Sequence, residues 1–276
     1  MTTSNKGTIL VIGGNGKTGS RVANKLNALN WPVKTASRSS EIKFDWLDAT
    51  TWSKALEGIN AVYITYQPDL AVPGATTAIA TLCKLAAEAG VQKLVLLSGR
   101  GEREAEECER IVMQSGIQWT IVRASWFAQN FNEGNFLEPV MAGYVALPTS
   151  NVREPFIDAD DIADVAIAAL TDDKHNGKIY EVTGPEAITF REAVAEIAKA
   201  TGREIIYQQI PMEDYAAELA DYEVPADVIW LITYLFTEVL DGRNEQPMNG
   251  VQEALGRPPA SFATYVKKAA EAGAWR

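Results

Sequence analysis

Residues 11–20 read VIGGNGKTGS, and this short stretch limits the fold more than any other feature of the chain. It continues a run of apolar and β-branched residues that starts at position 8, as is typical of a strand buried on both faces. Residues 16–30 then carry apolar positions such as Val22 and Leu26 at helical spacing. A buried strand, a glycine turn and a helix in this order predict the first unit of a doubly wound parallel sheet.

Two phosphate-binding motifs overlap in the turn, and the spacing of the glycines decides which of them is present. A nucleoside-triphosphate loop, G-x-x-x-x-G-K-[ST], would use Gly16 as its second glycine and needs another at position 11, where the chain has Val11. Gly13, Gly16 and Gly19 instead have the spacing of a dinucleotide turn, which places backbone N–H groups and a helix N-terminus against a pyrophosphate. The alternative is a turn that uses glycine only for its φ angles. The flanking strand and helix favour the dinucleotide site.

Length and charge limit the protein class. The 276 residues are enough for one large α/β domain or a core domain with a smaller appendage, and 47% of them are apolar, enough for a substantial core. The formal net charge of −11 argues against direct nucleic-acid binding, which needs a basic face. We therefore expect a folded protein that does not bind nucleic acid directly.

Cysteine and histidine usage predicts neither a disulfide framework nor a metal site. Cys83 and Cys108 both fall in predicted helices without partner spacing, which indicates a reducing, cytoplasmic environment. The single histidine, His175, lies in a polar stretch that predicts a solvated loop, and one histidine argues against a Ser-His-Asp triad. Residues 1–8 have no apolar signal core, and the longest apolar run, 228–236, is too short to span a bilayer. We expect a soluble protein.

Strand-like and helical segments alternate through the first half of the chain. This rhythm predicts repeated βα units and a Rossmann-type parallel sheet covered on both faces. The predicted strands are 8–12, 33–37, 41–44, 61–65, 93–97 and 119–122, and the predicted helices are 17–30, 51–56, 74–89 and 102–115.

After about residue 125 the rhythm changes. A helix is predicted at 159–170, a strand at 178–182, and a mainly helical region from 189 onward with one strand at 204–210. We expect this later part to supply a smaller substrate domain over the carboxyl ends of the sheet. The predicted division is 1–125 with about 151–185 for the NADP-binding domain, and 126–150 with 186–276 for the smaller, mainly helical domain.

The residues at the end of the second strand indicate whether the adenine ribose of the cofactor carries a 2′-hydroxyl or a 2′-phosphate. NAD sites usually place a carboxylate there, about 20 residues past the glycines, to bind the 2′-hydroxyl. Here the strand ends in Ser37-Arg38-Ser39-Ser40, without a carboxylate. An arginine and hydroxyls suit a 2′-phosphate, and Lys17 adds positive charge, although a solvated loop arginine is the alternative. The sequence predicts NADP(H) in preference to NAD(H).

Four segments resemble the atypical short-chain dehydrogenases/reductases of the NmrA-like family along nearly the whole chain. They are VIGGNGKTGSRV from residue 11, KLVLLSGRGE at 93–102, WTIVRASWFAQNF at 119–131 and EPFIDADDIADVA at 154–166. GGNGKTG and SWFAQNF are most similar to the subgroup with the ergot-alkaloid dehydrogenases, which reduce iminium ions with NADPH. Dye-reducing and quinone-reducing enzymes and non-enzymatic redox sensors also belong to the family.

The resemblance implies a cofactor site built from residues that follow successive strands. The glycines line the pyrophosphate, Arg38 faces the 2′-phosphate, and Asp45 and Trp46 lie near the adenine. The residues after the fourth, fifth and sixth strands border the ribose and the nicotinamide. The full predicted set is Gly13, Asn15, Gly16, Lys17, Thr18, Gly19, Ser37, Arg38, Asp45, Trp46, Tyr66, Gln67, Ser98, Gly99, Ala124, Ser125 and Trp126.

The chain departs from the wider superfamily in its catalytic pair. Ketone-reducing short-chain dehydrogenases use Tyr-x-x-x-Lys, in which the lysine lowers the tyrosine pKa so that tyrosine can protonate the nascent alkoxide. No tyrosine of this chain is followed by lysine four residues later. Carbonyl reduction by that mechanism is therefore not expected.

A cationic substrate needs no proton donor, because hydride neutralises its positive charge. It needs a placed cofactor, an aromatic pocket and a carboxylate to hold the cation. Glu102 is the candidate for this carboxylate, and the alternative for it is a first-turn helix residue favoured by the helix dipole. Ser98 and Glu102 are the candidate catalytic residues. The candidate pocket residues, for which core packing is the alternative, are Trp126, Phe127, Phe131, Trp230 and Tyr234.

These observations predict an NADPH-dependent reductase of a flat, electron-poor or cationic small molecule, such as an imine, a quinone or a dye. The alternative is a catalytically silent NADP(H)-binding redox sensor that signals through a protein partner. A third hypothesis is an oligomerisation module that uses the apolar stripe 228–236 to form a homo-oligomer.

Overall fold

The computed structural model describes residues 6–276, and residues 1–5, which begin the segment without an apolar signal core, lie outside the described residues. The strands are β1 (Ile9–Ile12), β2 (Val33–Ser37), β3 (Ile42–Lys43), β4 (Ala61–Ile64), β5 (Lys93–Gly99), β6 (Gln118–Ala124), β7 (Tyr144–Leu147), β8 (Arg153–Glu154), β9 (Lys178–Val182), β10 (Ile188–Thr189) and β11 (Ile206–Gln209). The helices are α1 (Lys17–Ala28), α2 (Trp52–Ala55), α3 (Ala75–Glu88), α4 (Arg103–Met113), α5 (Leu137–Ala142), α6 (Ala159–Thr171), α7 (Phe190–Thr201), α8 (Met212–Asp221), α9 (Ala226–Tyr234), α10 (Gly250–Leu255) and α11 (Phe262–Glu271).

The chain divides into two compact units. The first contains the described residues up to Ala124, together with Ala159–Val182 and Gly250–Arg257. The second contains Ser125–Asp158, Thr183–Asn249 and Pro258–Arg276.

Seven parallel strands form the sheet of the first unit, in the order β3-β2-β1-β4-β5-β6-β9. The chain runs outward from β1 to β3 and then returns to the other side of β1 with β4. This reversal leaves a switch point between β1 and β4, and doubly wound folds bind ligands at such a point, outside the carboxyl ends of the strands. The predicted Rossmann-type α/β sheet is confirmed.

Helices cover both faces of this sheet. Helices α2, α3 and α4 pack on one face, where side chains such as Ile12, Ile64 and Leu96 are fully buried. Helices α1 and α6 pack against each other and against the strands on the other face. Each large aliphatic side chain buried in this way stabilises the fold by roughly 1.5–3 kcal/mol. The apolar runs read from the sequence are therefore the buried strands of a three-layer unit.

A late segment of the chain completes the first unit. Helix α10 packs on β9, and a Cβ on Gly250 would overlap the backbone of Glu181, so only glycine allows this close approach. Arg257 then forms ion pairs of 2.6 Å with Asp161 and Asp164 on α6. Helix α10 and the residues that follow it, up to Arg257, therefore belong to the same unit as β1.

The second unit is mainly helical and has an aromatic core. Its strands form two small pairs, β10 antiparallel to β8 and β11 parallel to β7. Helix α7 begins with a capping box, in which Thr189 and Glu192 satisfy each other's backbone N–H groups. The aromatic core consists of Phe131, Phe136, Phe156, Phe190, Phe236, Phe262, Tyr265 and Trp275.

One sequence prediction is wrong: His175 is not in a solvated loop. It lies in a short 3-10 turn with only 1% of its surface exposed. Its Nδ1 is 2.8 Å from the hydroxyl of Tyr180, and its backbone carbonyl accepts a hydrogen bond from Thr120. The polar neighbours in sequence are exposed, but the turn directs this one side chain inward.

Within residues 6–276, no helix combines the length and the apolar character needed to cross a membrane.

Candidate functional site

The glycines at the carboxyl end of β1 form a turn with no room for side chains. Gly13 has a φ of +73°, and a Cβ there would overlap the hydroxyl of Thr65 beyond β4. A Cβ on Gly19 would overlap the carbonyl oxygen of Gly13, whereas one on Gly16 would lie 3.3 Å from that oxygen. The spacing noted in the sequence therefore has a steric cause, which is close packing of α1 on the turn.

Helix α1 begins directly at this turn. Gly16 is its N-cap and offers no side-chain acceptor, and the first turn contains no acidic residue. Helix N-termini leave backbone N–H groups without intrahelical partners and carry a partial positive charge. The start of α1 therefore has the donors and the polarity to bind an anion.

The loop after β2 is attached to the glycine turn by hydroxyl groups. Asn15 donates its side-chain amide to Ser37 (3.0 Å) and Ser39 (3.2 Å), and Ser37 is also 2.6 Å from the hydroxyl of Ser40. Arg38 is exposed in the middle of this loop. No carboxylate among residues 6–276 pairs with its guanidinium. The loop therefore holds an unneutralised cation beside the glycine turn.

An aromatic wall follows on the same edge. Trp46 contacts Tyr66 with ring centroids 4.6 Å apart, and its indole N–H donates to the carbonyl of Thr65 (3.1 Å). Both rings are half-buried, and burial raises the pKa of Tyr66. The carboxylate of Asp45 caps its own loop by accepting from the N–H of Leu47 (3.0 Å). Two of the predicted adenine-side residues, Asp45 and Trp46, thus lie on one wall with Tyr66.

The end of β5 is fixed by a network of charged groups. Ser98 donates its hydroxyl hydrogen to Glu109 on α4 (2.6 Å). Arg123 on β6 donates to both oxygens of Glu109, at 2.9 and 2.5 Å, and to Glu181 on β9 at 2.9 Å. The hydrogen bonds to Glu109 hold the pKa of Arg123 above its usual range. Ser98 is therefore part of the connection between α4 and the sheet.

Sequence reasoning did not identify Glu109 or Arg123. A charged residue inside the apolar run of β6 was the available signal for Arg123, since such a residue needs a partner when it is buried. Its partner, Glu109, lies on the buried side of α4 and is 1% exposed.

Two carboxyl groups meet where β4 and β5 end. Glu102, a candidate from the sequence, is 7% exposed, and its carboxyl group occupies the space that a side chain on Gly99 would need. It is hydrogen-bonded to the carboxyl group of Asp69, which the sequence analysis did not identify. Asp69 lies five residues beyond the end of β4, two residues after the predicted site residue Gln67.

The remaining cofactor candidates lie close to these groups in the first unit. Thr18 is buried in the first turn of α1, and Lys17 begins that helix. The side-chain amide of Gln67 lies 3.9 Å from the place where a Cβ on Gly16 would stand. Ala124 ends β6 and accepts a hydrogen bond from the N–H of Arg100 (2.9 Å).

The other predicted residues belong to the second unit. Ser125 is buried and donates to the carbonyl of Pro155 (2.6 Å), and Trp126 is half-buried against the aromatic core. Phe131 is fully buried inside that core, so it has no surface with which to line a pocket. Trp230 stacks on Tyr234 at 5.8 Å and is 47% exposed. Phe127 is partly buried and bridges to Ile157.

Comparison with known proteins places the chain in a family. The model of the NmrA-like family matches residues 5–256. The chain belongs to the NmrA-like family. This match covers the glycine turn, the serine loop, the charged network at the end of β5 and the carboxyl pair.

Proteins similar to this chain include enzymes named as a dehydrogenase and a reductase. The chain is 30% identical to agroclavine dehydrogenase from Claviceps fusiformis, over 94% of this chain and 96% of the relative. It is 29% identical to an NAD(P)H azoreductase from Xenophilus azovorans, over 96% of this chain and 98% of the relative. Among solved structures, triphenylmethane reductase from Citrobacter sp. complexed with NADP(H) has a TM-score of 0.79 at 17% identity, over 95% of this chain and 99% of that one.

Proposed function

We propose that this protein is an NADPH-dependent reductase that transfers hydride to a flat, electron-poor or cationic organic acceptor. The observation that carries the proposal is the β1–α1 turn, in which closely packed glycines and an open helix N-terminus lie beside the unpaired Arg38. Relatives named agroclavine dehydrogenase and NAD(P)H azoreductase match the chain over nearly its whole length, which supports a reductase.

The residues at the turn fit a dinucleotide. Gly13 and Gly19 leave a cradle that a Cβ would fill, and the first N–H groups of α1 face it. These groups would hold a pyrophosphate through hydrogen bonds and the helix dipole. The half-buried Trp46 and Tyr66 offer flat surfaces for an adenine. When bound, the reduced nicotinamide supplies the hydride.

Arg38 supports the phosphorylated form of the cofactor. Beside it, Asn15 donates to the hydroxyls of Ser37 and Ser39, and Ser37 is hydrogen-bonded to Ser40. Residues 37–40 contain no carboxylate. A guanidinium and hydroxyl groups bind a 2′-phosphate well, whereas a ribose 2′-hydroxyl is usually bound by a carboxylate.

The absence of a tyrosine–lysine pair from α4 indicates which class of hydride acceptor the protein reduces. This helix contains neither tyrosine nor lysine, and no Tyr-x-x-x-Lys motif occurs anywhere in the chain. An alkoxide formed from a ketone would lack the lysine-activated phenol of that motif as a proton donor. A cationic dye or an iminium ion becomes neutral on accepting hydride, so placement against the cofactor suffices.

The test is single-turnover oxidation of bound NADPH, followed at the nicotinamide absorbance. NADPH and NADH are first titrated onto the protein, and the NADPH complex is then mixed with a cyclic iminium ion, a quinone or a triphenylmethane dye. We expect rapid oxidation by at least one acceptor. Tight binding of NADPH without oxidation by any acceptor would contradict the reductase and favour a redox sensor.

The Gly13→Asp variant is the matched control for the location of the site. It places a carboxylate in the cradle, and we expect it to abolish both cofactor binding and oxidation. Because Gly13 has a positive φ, the folded state of the variant is checked by circular dichroism. Undiminished NADPH affinity in this variant would refute the placement of the pyrophosphate.

A further inference from the structure

The carboxyl groups of Asp69 and Glu102 form a pair that the proposed hydride transfer leaves unused. Asp69 lies in the loop after β4 and Glu102 in the turn after β5, and these strands are neighbours in the sheet. Gly99 leaves room for the Glu102 carboxyl group, which a Cβ on that residue would displace. The pair therefore lies at the carboxyl edge, beside the switch point between β1 and β4.

Two hydrogen-bonded carboxyl groups need a proton between them. Two carboxylates in direct contact repel each other, and burial disfavours charge on either, so the pair is most stable with one proton. Asp69 is also held by the N–H of Ala71, which donates to its carboxyl oxygen at 2.9 Å. Asp69 is partly exposed, whereas Glu102 is buried, so the shared proton can exchange with solvent through Asp69.

The surroundings of Glu102 favour its protonated form. Burial and then the charge of Asp69 raise its pKa well above the usual range, and Glu104 and Glu109 on α4 act in the same direction. Cys108, also on α4, stays neutral because burial raises the pKa of its thiol to about 12.

We propose that the Asp69–Glu102 pair is the proton donor of this protein for neutral acceptors, in place of the missing tyrosine–lysine pair. This role rests on the proposed function. It extends the acceptor class from cations, which need no proton, to quinones and neutral imines, which need one.

The proposed step balances for a quinone. A bound reduced nicotinamide would supply the hydride, two electrons with one hydrogen nucleus, and would itself be oxidised. The quinone accepts the hydride and becomes the hydroquinone monoanion. The carboxyl pair gives its proton to that anionic oxygen, which yields the hydroquinone, and the doubly ionised pair then takes up a proton from water. For a neutral imine, the proton goes to the nitrogen that received negative charge.

The test compares an acceptor that needs a proton with one that does not, in wild type and Glu102→Gln. The glutamine variant keeps the net charge of the pair, because Asp69 ionises when its partner can no longer share a proton. We expect hydride transfer to a quinone to slow by about 100-fold or more, and to slow far more than transfer to a triphenylmethane dye, which needs no proton. Glu88→Gln, on an exposed part of α3, is the matched control and should change neither rate.

The pH dependence gives a second criterion. The donating form is the protonated one, so quinone reduction by the wild type should slow as the pH rises through the pKa of the pair. Dye reduction should lack this dependence, and so should quinone reduction by Glu102→Gln. Equal losses for both acceptors in the variant, or an unchanged quinone rate, would overturn the proposal.

Infrared spectroscopy tests the shared proton without any turnover. Ordinary carboxyl groups are ionised at pH 7, so the wild type should show the C=O stretch of a protonated carboxyl group, and Glu102→Gln should lose it. Absence of this band in the wild type would overturn the pair itself. Failure of the wild type to oxidise NADPH with any acceptor would instead overturn the proposed function. The infrared band and the turnover assay therefore test the two proposals separately.

Discussion

The guanidinium of Arg38 is exposed and has no carboxylate partner within residues 6–276, although the chain carries a net charge of −11. An unpaired cation in an acidic protein is available for an anionic ligand. We expect Arg38→Ala to weaken NADPH binding by about 10- to 100-fold, because charge-assisted hydrogen bonds contribute roughly 1.5–3 kcal/mol. NADH lacks the 2′-phosphate, so its affinity should not change.

Equilibrium titration of both cofactors checks this prediction, with Arg110→Ala as the control. Arg110 is another exposed arginine, on α4, and pairs only loosely with Glu107 at 3.9 Å. Its removal should alter neither affinity. Equal losses of NADPH and NADH affinity in Arg38→Ala would refute the assignment to the 2′-phosphate.

A second prediction for a single residue concerns His175 and the pH dependence of the free energy of unfolding. Burial lowers the pKa of its imidazole below the usual value of 6.5, and its Nε2 has no hydrogen-bond partner in the described chain. Between the lowered native pKa and 6.5 the unfolded state binds more protons, so the free energy of unfolding should fall as the pH drops below about 6.5. In His175→Gln, which cannot titrate, that part of the pH dependence should disappear.

Nuclear magnetic resonance can observe this group without ambiguity, because His175 is the only histidine in the chain. Its ring signals should titrate below pH 6.5 in the folded protein. A titration midpoint at or above 6.5 would contradict the buried, neutral imidazole.

At the scale of elements, the sequence was most informative where the apolar periodicity of a segment predicts which of its residues are buried. The strands predicted at 33–37 and 178–182 match β2 and β9, and the predicted helices match α1, α3, α4 and α6 within one or two residues at each end. These elements have long apolar periodicities or clear glycine boundaries. Short strands such as β8 and β10 have two residues each and no pattern of their own, so only their tertiary partners define them.

The charged contacts of α4 show why much of the candidate site was not predictable. Glu102 and Ser98 are close in sequence to the glycine at the end of β5, so they could be proposed as candidates. Asp69 meets Glu102, 33 positions further on, because β4 and β5 are neighbours, and Arg123 meets Ser98 because β6 lies next to β5. Glu109 reaches both Ser98 and Arg123 from α4. The glycine turn is a local motif, so it could be predicted from the sequence. The groups around it come together only through the strand order, so their contacts could not be predicted.

The Arg123 network predicts how α4 is held to the sheet. Replacing Arg123 with methionine leaves the buried Glu109 carboxylate without its cation, which typically costs about 3–5 kcal/mol of unfolding free energy. The double variant Arg123→Met/Glu109→Gln should recover much of that loss, because no buried charge remains. Urea unfolding measures both, with Arg110→Met on the exposed side of the same helix as the control. A double variant no more stable than Arg123→Met would contradict a buried ion pair.

At the scale of the whole molecule, the order of the strands decides where a ligand can bind. The outward run from β1 to β3 and the return to β4 place the ends of β1, β2, β4 and β5 on one edge of the first unit. That edge carries the glycine turn, the serine loop, the aromatic wall and the carboxyl pair. The opposite, amino edge has an open cavity of about 300 Å³, lined by residues including Val91, Gln92 and Gly116.

Hydrogen exchange of the whole chain distinguishes the two edges. If NADPH binds as proposed, amides in the segments 13–19, 37–46 and 65–72 should exchange more slowly in its presence, because the ligand holds the carboxyl-edge turns closed. Amides at 90–92 and 115–118, beside the amino-edge cavity, should exchange at the same rate with and without NADPH and so serve as an internal control. Mass spectrometry of peptic fragments measures all of these segments in one experiment. Protection confined to the amino edge would contradict both the glycine turn and the carboxyl edge of the sheet as the NADPH site.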